Sequence, residues 1–425
     1  MYLLPVVLGG GEGDVGEVVA AARHLARDGH SLQLYCPAGV PLPTGVEPQN
    51  WDLPVRRVGR LRPSGRCAMT LAFDWGVTAG PERPGPLGRA GLWSDAVRAI
   101  ERTYGPDRVL HVSLGEFART LTSRQQLAER YREGGRPSRW IRRHVASARG
   151  REEAALTARL YRRFRYFDAP RVLHLFPTFG AARSFRREFP EAVPIGPVWE
   201  EPMPAPRRGA APEWIWYASP SSSTALLPAI RSLVRQAPRP LRISVRGLAR
   251  NADLPRRTSA VQLQPLPRLP RPEWRHRFAD AQLRIVTGGR SLLEAVQVGG
   301  PFLYFNGVTG TGACRRRHRP EKLDALLRAW GPRLPSALRR DLLEFSRVRN
   351  ATAILLRAAA EPRWRRSFPP RPPPVAFRPP YGEGGQLLRA VAGELAAGAG
   401  AQELVARTRA RQLEEPSSGG PGRSP

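Results

Sequence analysis

Two carboxylates in a glycine-rich turn are the first residues of this chain placed to do chemistry. They are Glu12 and Asp14 of VVLGGGEGDVGEVVAAARHLARDGH (Val6–His30). Gly11, Gly13 and Gly16 around them spell GxGxxG, the spacing of a dinucleotide cradle. A second such place is TGGRSLLE (Thr287–Glu294). There Gly288 and Gly289 let backbone N–H groups approach an anion at a helix start, beside Arg290. Ser291 adds a hydroxyl, and Glu294, one turn on, can accept hydrogen bonds from a ribose diol. The first place offers acid–base chemistry; the second offers phosphate binding.

The dinucleotide reading of the first turn fails on chemistry. It needs an acid at the end of the second strand, about 20 residues on, to hold the ribose. Tyr35, Cys36 and Pro37 stand there instead. Glu12 and Asp14 would also repel a bound pyrophosphate by an energy on the order of kcal/mol. Two readings remain. One is a turn that packs helix on strand and leaves two solvated acids. The other is a carboxylate held out to take a proton, with Asp14 near a helix start whose dipole favours its ionised form. For the second place the plain alternative is a strand-to-helix turn with a surface glutamate.

Short apolar runs alternate with helical periods, which implies parallel sheets covered on both faces. In the first half the expected strands are Tyr2–Leu8, Ser31–Cys36, Asp107–Leu114 and Ala169–Phe176. Gly29 ends the first helix. Residues 120–165, rich in Arg and Glu, read as helical. VPIGPVWEEPMPAPRRGAAPE (Val193–Glu213) has many prolines and no period, so it reads as a linker. The alternation then restarts, with strands expected at Trp214–Ser219, Leu241–Gly247, Ala260–Leu266, Leu283–Gly289 and Pro301–Asn306. The expected fold is α/β, two doubly wound Rossmann-like domains facing a cleft. Residues 1–195 form the first, 196–213 the linker and 214–366 the second. A proline-rich segment and a helix near Gln386–Leu413 fill 367–412, and 413–425 is a disordered tail. Open parallel sheets bind ligands beyond the carboxyl ends of their strands, where both glycine turns fall.

Bulk properties narrow the partners. The net charge of +32 points first to nucleic acid or an anionic membrane. Lys322 is the only lysine, so arginine carries almost all of the basic charge. Arginine rises here with Pro, Gly and Ala, all of GC-rich codons, so codon bias accounts for much of the charge. The arginines are spread without aromatic clusters, which argues against a specific nucleic-acid site. Contact with an anionic membrane or a lipid-linked substrate stays open. Cys36, Cys67 and Cys314 are scattered, which gives neither a disulfide framework nor a zinc site. No stretch approaches about 18 apolar residues, and the first apolar run has no basic segment before it. The expected location is the cytoplasm.

TGGRSLLEAVQVGGPFLYF (Thr287–Phe305), read with its neighbours, resembles the donor-binding domain of GT-B glycosyltransferases. The likeness is greatest to the group of MurG-like enzymes and antibiotic glycosyltransferases. That group has a strand, His-Gly-Gly, Ser, two apolar residues, Glu, then Gly-x-Pro and a strand. Thr287 stands where the His is usual. PIGPV (Pro194–Val198) resembles the entry to that domain. IWYASPSSST (Ile215–Thr224) resembles the strand and loop that meet the donor phosphates, with Ser221, Ser222 and Ser223 at the contact. VQLQPLP (Val261–Pro267) resembles the turn that cradles the base, at Leu266. The opening turn, Gly10, Gly11, Glu12 and Gly13, takes the place of the acceptor-side loop, and Asp14 takes the place of a catalytic His. No Asp-Gln pair for the sugar hydroxyls follows Phe305.

The resemblance covers about residues 1–330 in order. It implies transfer of a hexosyl or N-acetylhexosaminyl group from a nucleotide-diphosphate sugar to a small-molecule or lipid-linked acceptor, with inversion. Asp14 would be the base. Ser221–Ser223, Arg246, Leu266, Gly288, Gly289, Arg290, Ser291 and Glu294 would hold the donor, without a metal ion. Two alternatives share the fold: a nucleotide-sugar epimerase or hydrolase, and a non-catalytic binding relative. Fold alone does not choose among them.

Overall fold

A computed structural model describes residues 2–3, 12–35, 55–58, 65–73, 100–114, 172–177, 192–195, 198, 203–207, 212–217, 220–246, 261–267, 269–305, 321–331, 334–369 and 384–414. Two compact units divide the chain: Met1–Val198 with Arg378–Pro425, and Trp199–Phe377. The last stretch of chain thus belongs to the first unit. Gly10, Gly11, residues 120–165, Cys36, Cys314 and the expected tail after Glu414 lie outside the described residues.

The first unit is built on a parallel sheet of seven strands. They are β1 (Tyr2–Leu3), β2 (Leu32–Tyr35), β3 (Val55–Val58), β4 (Ala68–Phe73), β5 (Val109–Leu114), β6 (Val172–Pro177) and β7 (Ala192–Ile195), in the order β3-β2-β1-β4-β5-β6-β7. The order reverses between β1 and β4, the doubly wound pattern. Helix α1 (Glu12–Arg27) follows β1. It begins inside the expected turn, so Glu12, Gly13 and Asp14 occupy its first turn and not a loop. Its C-terminus follows the sequence reading. Gly29 takes φ +79°, its N–H bonds the Ala26 carbonyl at 3.0 Å, and the His30 N–H reaches Leu25 at 3.2 Å. That is a Schellman closure, which needs a residue without Cβ strain. β7 corrects the linker reading: Pro194 lies on the sheet's edge strand, where its missing N–H costs no ladder bond.

Inside this sheet a polar chain joins Glu101 to two strands. His111 on β5 lies 2.8 Å from the Thr70 hydroxyl on β4 through Nδ1, and 3.2 Å from Glu101 through Nε2. Each of these three polar groups thus has a partner, as burial demands.

The second unit has a five-stranded parallel sheet: β8 (Glu213–Tyr217), β9 (Leu241–Arg246), β10 (Val261–Pro265), β11 (Leu283–Val286) and β12 (Phe302–Tyr304). Their order is β10-β9-β8-β11-β12. All five expected strands are present. Helix α2 (Pro220–Gln236) follows β8, α3 (Arg271–Asp280) lies between β10 and β11, and α4 (Gly289–Val298) follows β11. Because crossovers are right-handed, the reversal at β8 puts α2 on one face and α3 and α4 on the other. Trp214, Trp216, Phe278, Phe302 and Phe305 fill the interior. Helices α5 (Glu321–Trp330), α6 (Ser336–Ser346), α7 (Ala351–Ala360) and α8 (Pro362–Arg366) complete the unit. Asp341 joins three of them: its carboxylate accepts from Arg357 at 2.7 Å and from the Trp364 indole at 2.8 Å.

Part of the expected linker is held by this unit. Met203 is buried, and Arg207 grips Asp280, the last residue of α3, through its backbone N–H at 2.8 Å and Nε at 2.7 Å. Burial raises the Asp280 carboxyl, but the Arg207 hydrogen bonds outweigh it and hold the group below its ordinary value.

The expected last helix is two, α9 (Gly384–Ala396) and α10 (Ala401–Glu414), turned by Gly398. Their apolar faces, Leu387, Leu388, Val391, Leu395, Leu404 and Val405, belong to the same core as Val112, Leu173 and Val193 of the first sheet. Arg389 anchors α9 to the end of α1 through Asp28 at 2.7 Å. Among the described residues no helix is long and apolar enough to cross a membrane.

At the amino ends of the second sheet, Glu213 accepts a hydrogen bond from Ser244 and two from Arg277, at 2.8 and 3.2 Å. Gln264 donates to the same Ser244 oxygen at 2.8 Å. Burial pushes the Glu213 carboxyl up, yet the bonds from Arg277 and Ser244 hold it below 4.5. A depressed carboxyl stabilises the fold fully above its ordinary value and loses that contribution as pH falls through its folded value. Urea midpoints of Glu213→Gln should therefore lie below those of the native chain at pH 7 and converge on them below about pH 4. A gap that persists unchanged to pH 3 would contradict this assignment.

Candidate functional site

The two sides of the second sheet reverse between β8 and β11, and the helices that follow these strands begin side by side at its carboxyl edge. The register fixes this: Ile215 pairs with Arg284 and Trp216 with Ile285. β8 then runs one residue further, to Tyr217, and α2 opens at Pro220. β11 ends at Val286, and α4 opens at Gly289. Such a switch point leaves a crevice beyond the strand ends.

The first turns differ from the sequence reading in one respect. Ser221, Ser222 and Ser223 lie inside the first turn of α2, not in a loop before it. Pro220 opens the helix because the first helical N–H has no intrahelical partner to lose. Gly288 caps α4 at φ +81° and ψ 176°, a conformation that only glycine adopts without strain. It offers no side-chain cap, so the first N–H groups of α4 have no such acceptor. Ser291 turns inward and donates its hydroxyl to the Thr287 carbonyl.

Glu294 is the centre of the arrangement and differs from its expected open state. Its side chain is only 5% exposed. Oε1 accepts from Arg271 Nη2 at 2.6 Å and faces Arg290 Nε at 3.4 Å; Oε2 accepts from the Trp274 indole at 3.3 Å. Arg290 is itself buried, one helical turn before Glu294. Arg271 and Trp274 come from the first turn of α3, so this carboxylate ties the starts of α3 and α4 together.

Trp274 then links the cluster to the other strand ends. Its ring lies 5.9 Å from that of Tyr217, and the Arg246 guanidinium sits 5.4 Å over it. Arg246 pairs with Tyr217 in register and donates to the Pro267 carbonyl at 3.1 Å. Leu266 is buried, and its N–H bonds the Val245 carbonyl at 2.7 Å, closing the turn after β10. Arg246, Arg271 and Arg290 outnumber Glu294 and Glu273 of the same first turn of α3, so this edge keeps an excess of positive charge, suited to an anion. Of the expected residues, Arg246, Leu266, Gly288, Gly289, Arg290, Ser291 and Glu294 gather at this edge, together with the start of α2.

Sequence reasoning missed Tyr217, Arg271 and Trp274. The run PRLPRPEW, with its three prolines, masks the start of α3, although Pro272 in a first turn is itself a helix-start signal. It missed Arg284 as well. This residue, 2% exposed, donates to the carbonyls of Phe278 and Ala279 at 2.7 Å, Gly299 at 3.1 Å and Pro301 at 3.4 Å. The first three of these carbonyls end α3 and α4, the two helices whose starts carry the cluster. Burial lowers the guanidinium to about 10, Asp280 opposing, so it stays charged at neutral pH.

Asp14 lies in the first unit, third in α1. Glu12 and Gly13 precede it in the same turn. Among the described residues, no group of three or more His, Cys, Asp or Glu converges as metal ligands would.

No protein-family model matches the chain, and no curated protein matches its sequence. Among solved structures it is similar to glycosyltransferases of GT-B type. The glycotransferase of kitacinnamycin is 14% identical, with TM-score 0.44, over 97% of this chain and 98% of that one. CalG4, the calicheamicin glycosyltransferase, is 17% identical, with TM-score 0.42, over 96% and 98%. MurG of Acinetobacter baumannii is 16% identical, with TM-score 0.35, over 88% and 96%.

Arg284→Met removes a donor from three helix-end carbonyls, those of Phe278, Ala279 and Gly299. Each buried group left without its partner costs about 1–3 kcal/mol. The variant should lose about 3 kcal/mol or more in urea unfolding followed by tryptophan fluorescence. A loss under about 1 kcal/mol would show that water replaces the guanidinium.

Proposed function

We propose that the chain is a glycosyltransferase that takes a nucleotide-diphosphate sugar at the switch point of its second unit and passes the sugar to an acceptor hydroxyl with inversion. What carries the reading is the convergence of three helix starts with Arg246, Arg271 and the Trp274 ring at one strand edge. Helix starts and arginines suit a diphosphate, which carries its charge before the reaction and more of it after.

On this reading the acceptor oxygen attacks the anomeric carbon as the bond from that carbon to the diphosphate oxygen breaks. The bonding pair leaves with the diphosphate, which Arg246 and the first turns of α2 and α4 stabilise. The acceptor proton goes to Asp14, whose carboxylate the start of α1 keeps ionised. Positive charge for the leaving group comes from the protein, so the reaction calls for no metal ion. The sequence resemblance supports the same order of parts. The acceptor is a small or lipid-linked alcohol, and the arginine-rich surface is compatible with an anionic membrane nearby.

A thermal-shift panel of nucleoside diphosphates and their sugars tests the donor site. A ligand that binds only the folded state adds about 2.7 kcal/mol at 100 times its Kd. Nucleotide release that depends on an added alcohol marks transfer. Acceptor-free hydrolysis or epimerisation favours the first alternative enzyme, and binding without turnover favours a non-catalytic relative. No shift with any nucleotide overturns the donor site itself.

Asp14→Asn keeps the shape and removes the base. Turnover should fall about 100-fold or more, with nucleotide affinity nearly unchanged. Full retained turnover would make the opening turn structural.

A further inference from the structure

We infer that Glu294 is a positioning residue that does not read the donor's ribose: it holds Arg271, and Arg271 binds the diphosphate. This role for Arg271 rests on the nucleotide-sugar reading above.

The geometry of one carboxylate carries the inference. An ionised carboxylate offers about four lone-pair directions on two oxygens. In Glu294 both oxygens face protein donors: Arg271 at 2.6 Å and Arg290 at 3.4 Å on one, the Trp274 indole at 3.3 Å on the other. The side chain is 5% exposed, so it offers a ribose almost no open surface while Trp274 and the arginines stay in place. Displacing an arginine would leave a buried cation without its anion, which costs far more than a sugar hydroxyl returns.

Arg271 differs from its partner in exposure. Its side chain is 21% exposed, where Glu294 is closed, so the pair presents its positive end outward. On α4, Glu294 is five residues beyond Gly289, about 7.5 Å along the axis. Side chains on a helix lean toward its N-terminus, so the Glu294 carboxylate reaches back toward the first turn. It brings Arg271 with it. A diphosphate at that turn then meets a guanidinium held by a buried counter-ion.

Specificity follows from this arrangement. A site that hydrogen-bonds a sugar hydroxyl rejects the analogue lacking it, since its own polar groups go unpaired. Glu294 supplies no such discrimination here, because its partners are present with or without the 2′-hydroxyl.

Calorimetry on the full chain with matched pairs of ribonucleoside and 2′-deoxyribonucleoside diphosphates tests this, using the native protein, Glu294→Gln and Arg271→Gln. Arg271→Gln changes a part-exposed side chain and guards against a Glu294 variant that fails to fold. The expected result is a loss of about 10-fold or more in both variants, equal for ribo and deoxy partners. The slope of affinity against salt should also become shallower in Arg271→Gln. The ribo-to-deoxy ratio of the native protein should be unchanged by Glu294→Gln. A loss confined to the ribonucleotides would overturn the inference and make Glu294 the ribose receptor. Undiminished affinity in Arg271→Gln would overturn it too. Absence of nucleotide binding by the native protein is a different failure, that of the donor site itself.

Discussion

Arg284 sets the conditions for the whole second unit. A guanidinium at 2% exposure would be costly in apolar surroundings, yet it has carbonyl acceptors on three sides. Those acceptors are the negative ends of α3 and α4, so two helix dipoles offset the charge together with the Asp280 carboxylate. The same bonds fix where both helices end. Because each helix is a rigid rod ten residues long, fixing its end at one edge of the sheet fixes its start at the other. The gathering of Arg271, Trp274, Arg290 and Glu294 is thus determined from about 15 Å away by one buried cation.

At the opposite edge the logic is reversed. There the charges surround an acid, and the excess is positive. Glu294 sits among three donors as Glu213 does at the far end, but Glu213 is joined to Ser244 and Gln264 of neighbouring strands and locks the sheet to α3. One carboxylate therefore ties α3 to the strands, and the other ties it to α4. Between them α3 is held in place although its own start, Pro270, provides no side-chain cap.

Much of this was legible in the chain. Alternation of short, mostly apolar runs with helical periods marked every strand of the second sheet. β3, with its sequence VRRV, was not legible, because two arginines interrupt the apolar run. β7 was hidden by Pro194, which an edge strand tolerates. At the site, glycines and serines signal a helix start by type, so Gly288, Gly289 and Ser291 could be named. What a carboxylate touches depends on residues 20 or so positions away, and the tie from Glu294 to Arg271 has no local signature. Arg284 was hidden for the same reason. In sequence it is one polar letter in an apolar strand, and its acceptors are backbone atoms, which carry no sequence signal.

The first unit is discontinuous, and that has a consequence for how the chain is made. Its sheet is specified by residue 195, but Leu388, Val391, Leu404 and Val405 of its core arrive only after the whole second unit has been synthesised. During translation the apolar surface that α9 and α10 will cover waits while some 180 residues of another unit emerge. The second unit, continuous in the chain, is free to fold first as it leaves the ribosome. Completion of the first is then the last event, and closes the longest loop in the molecule. The early strands of this protein therefore keep part of their apolar face uncovered until the chain is nearly complete.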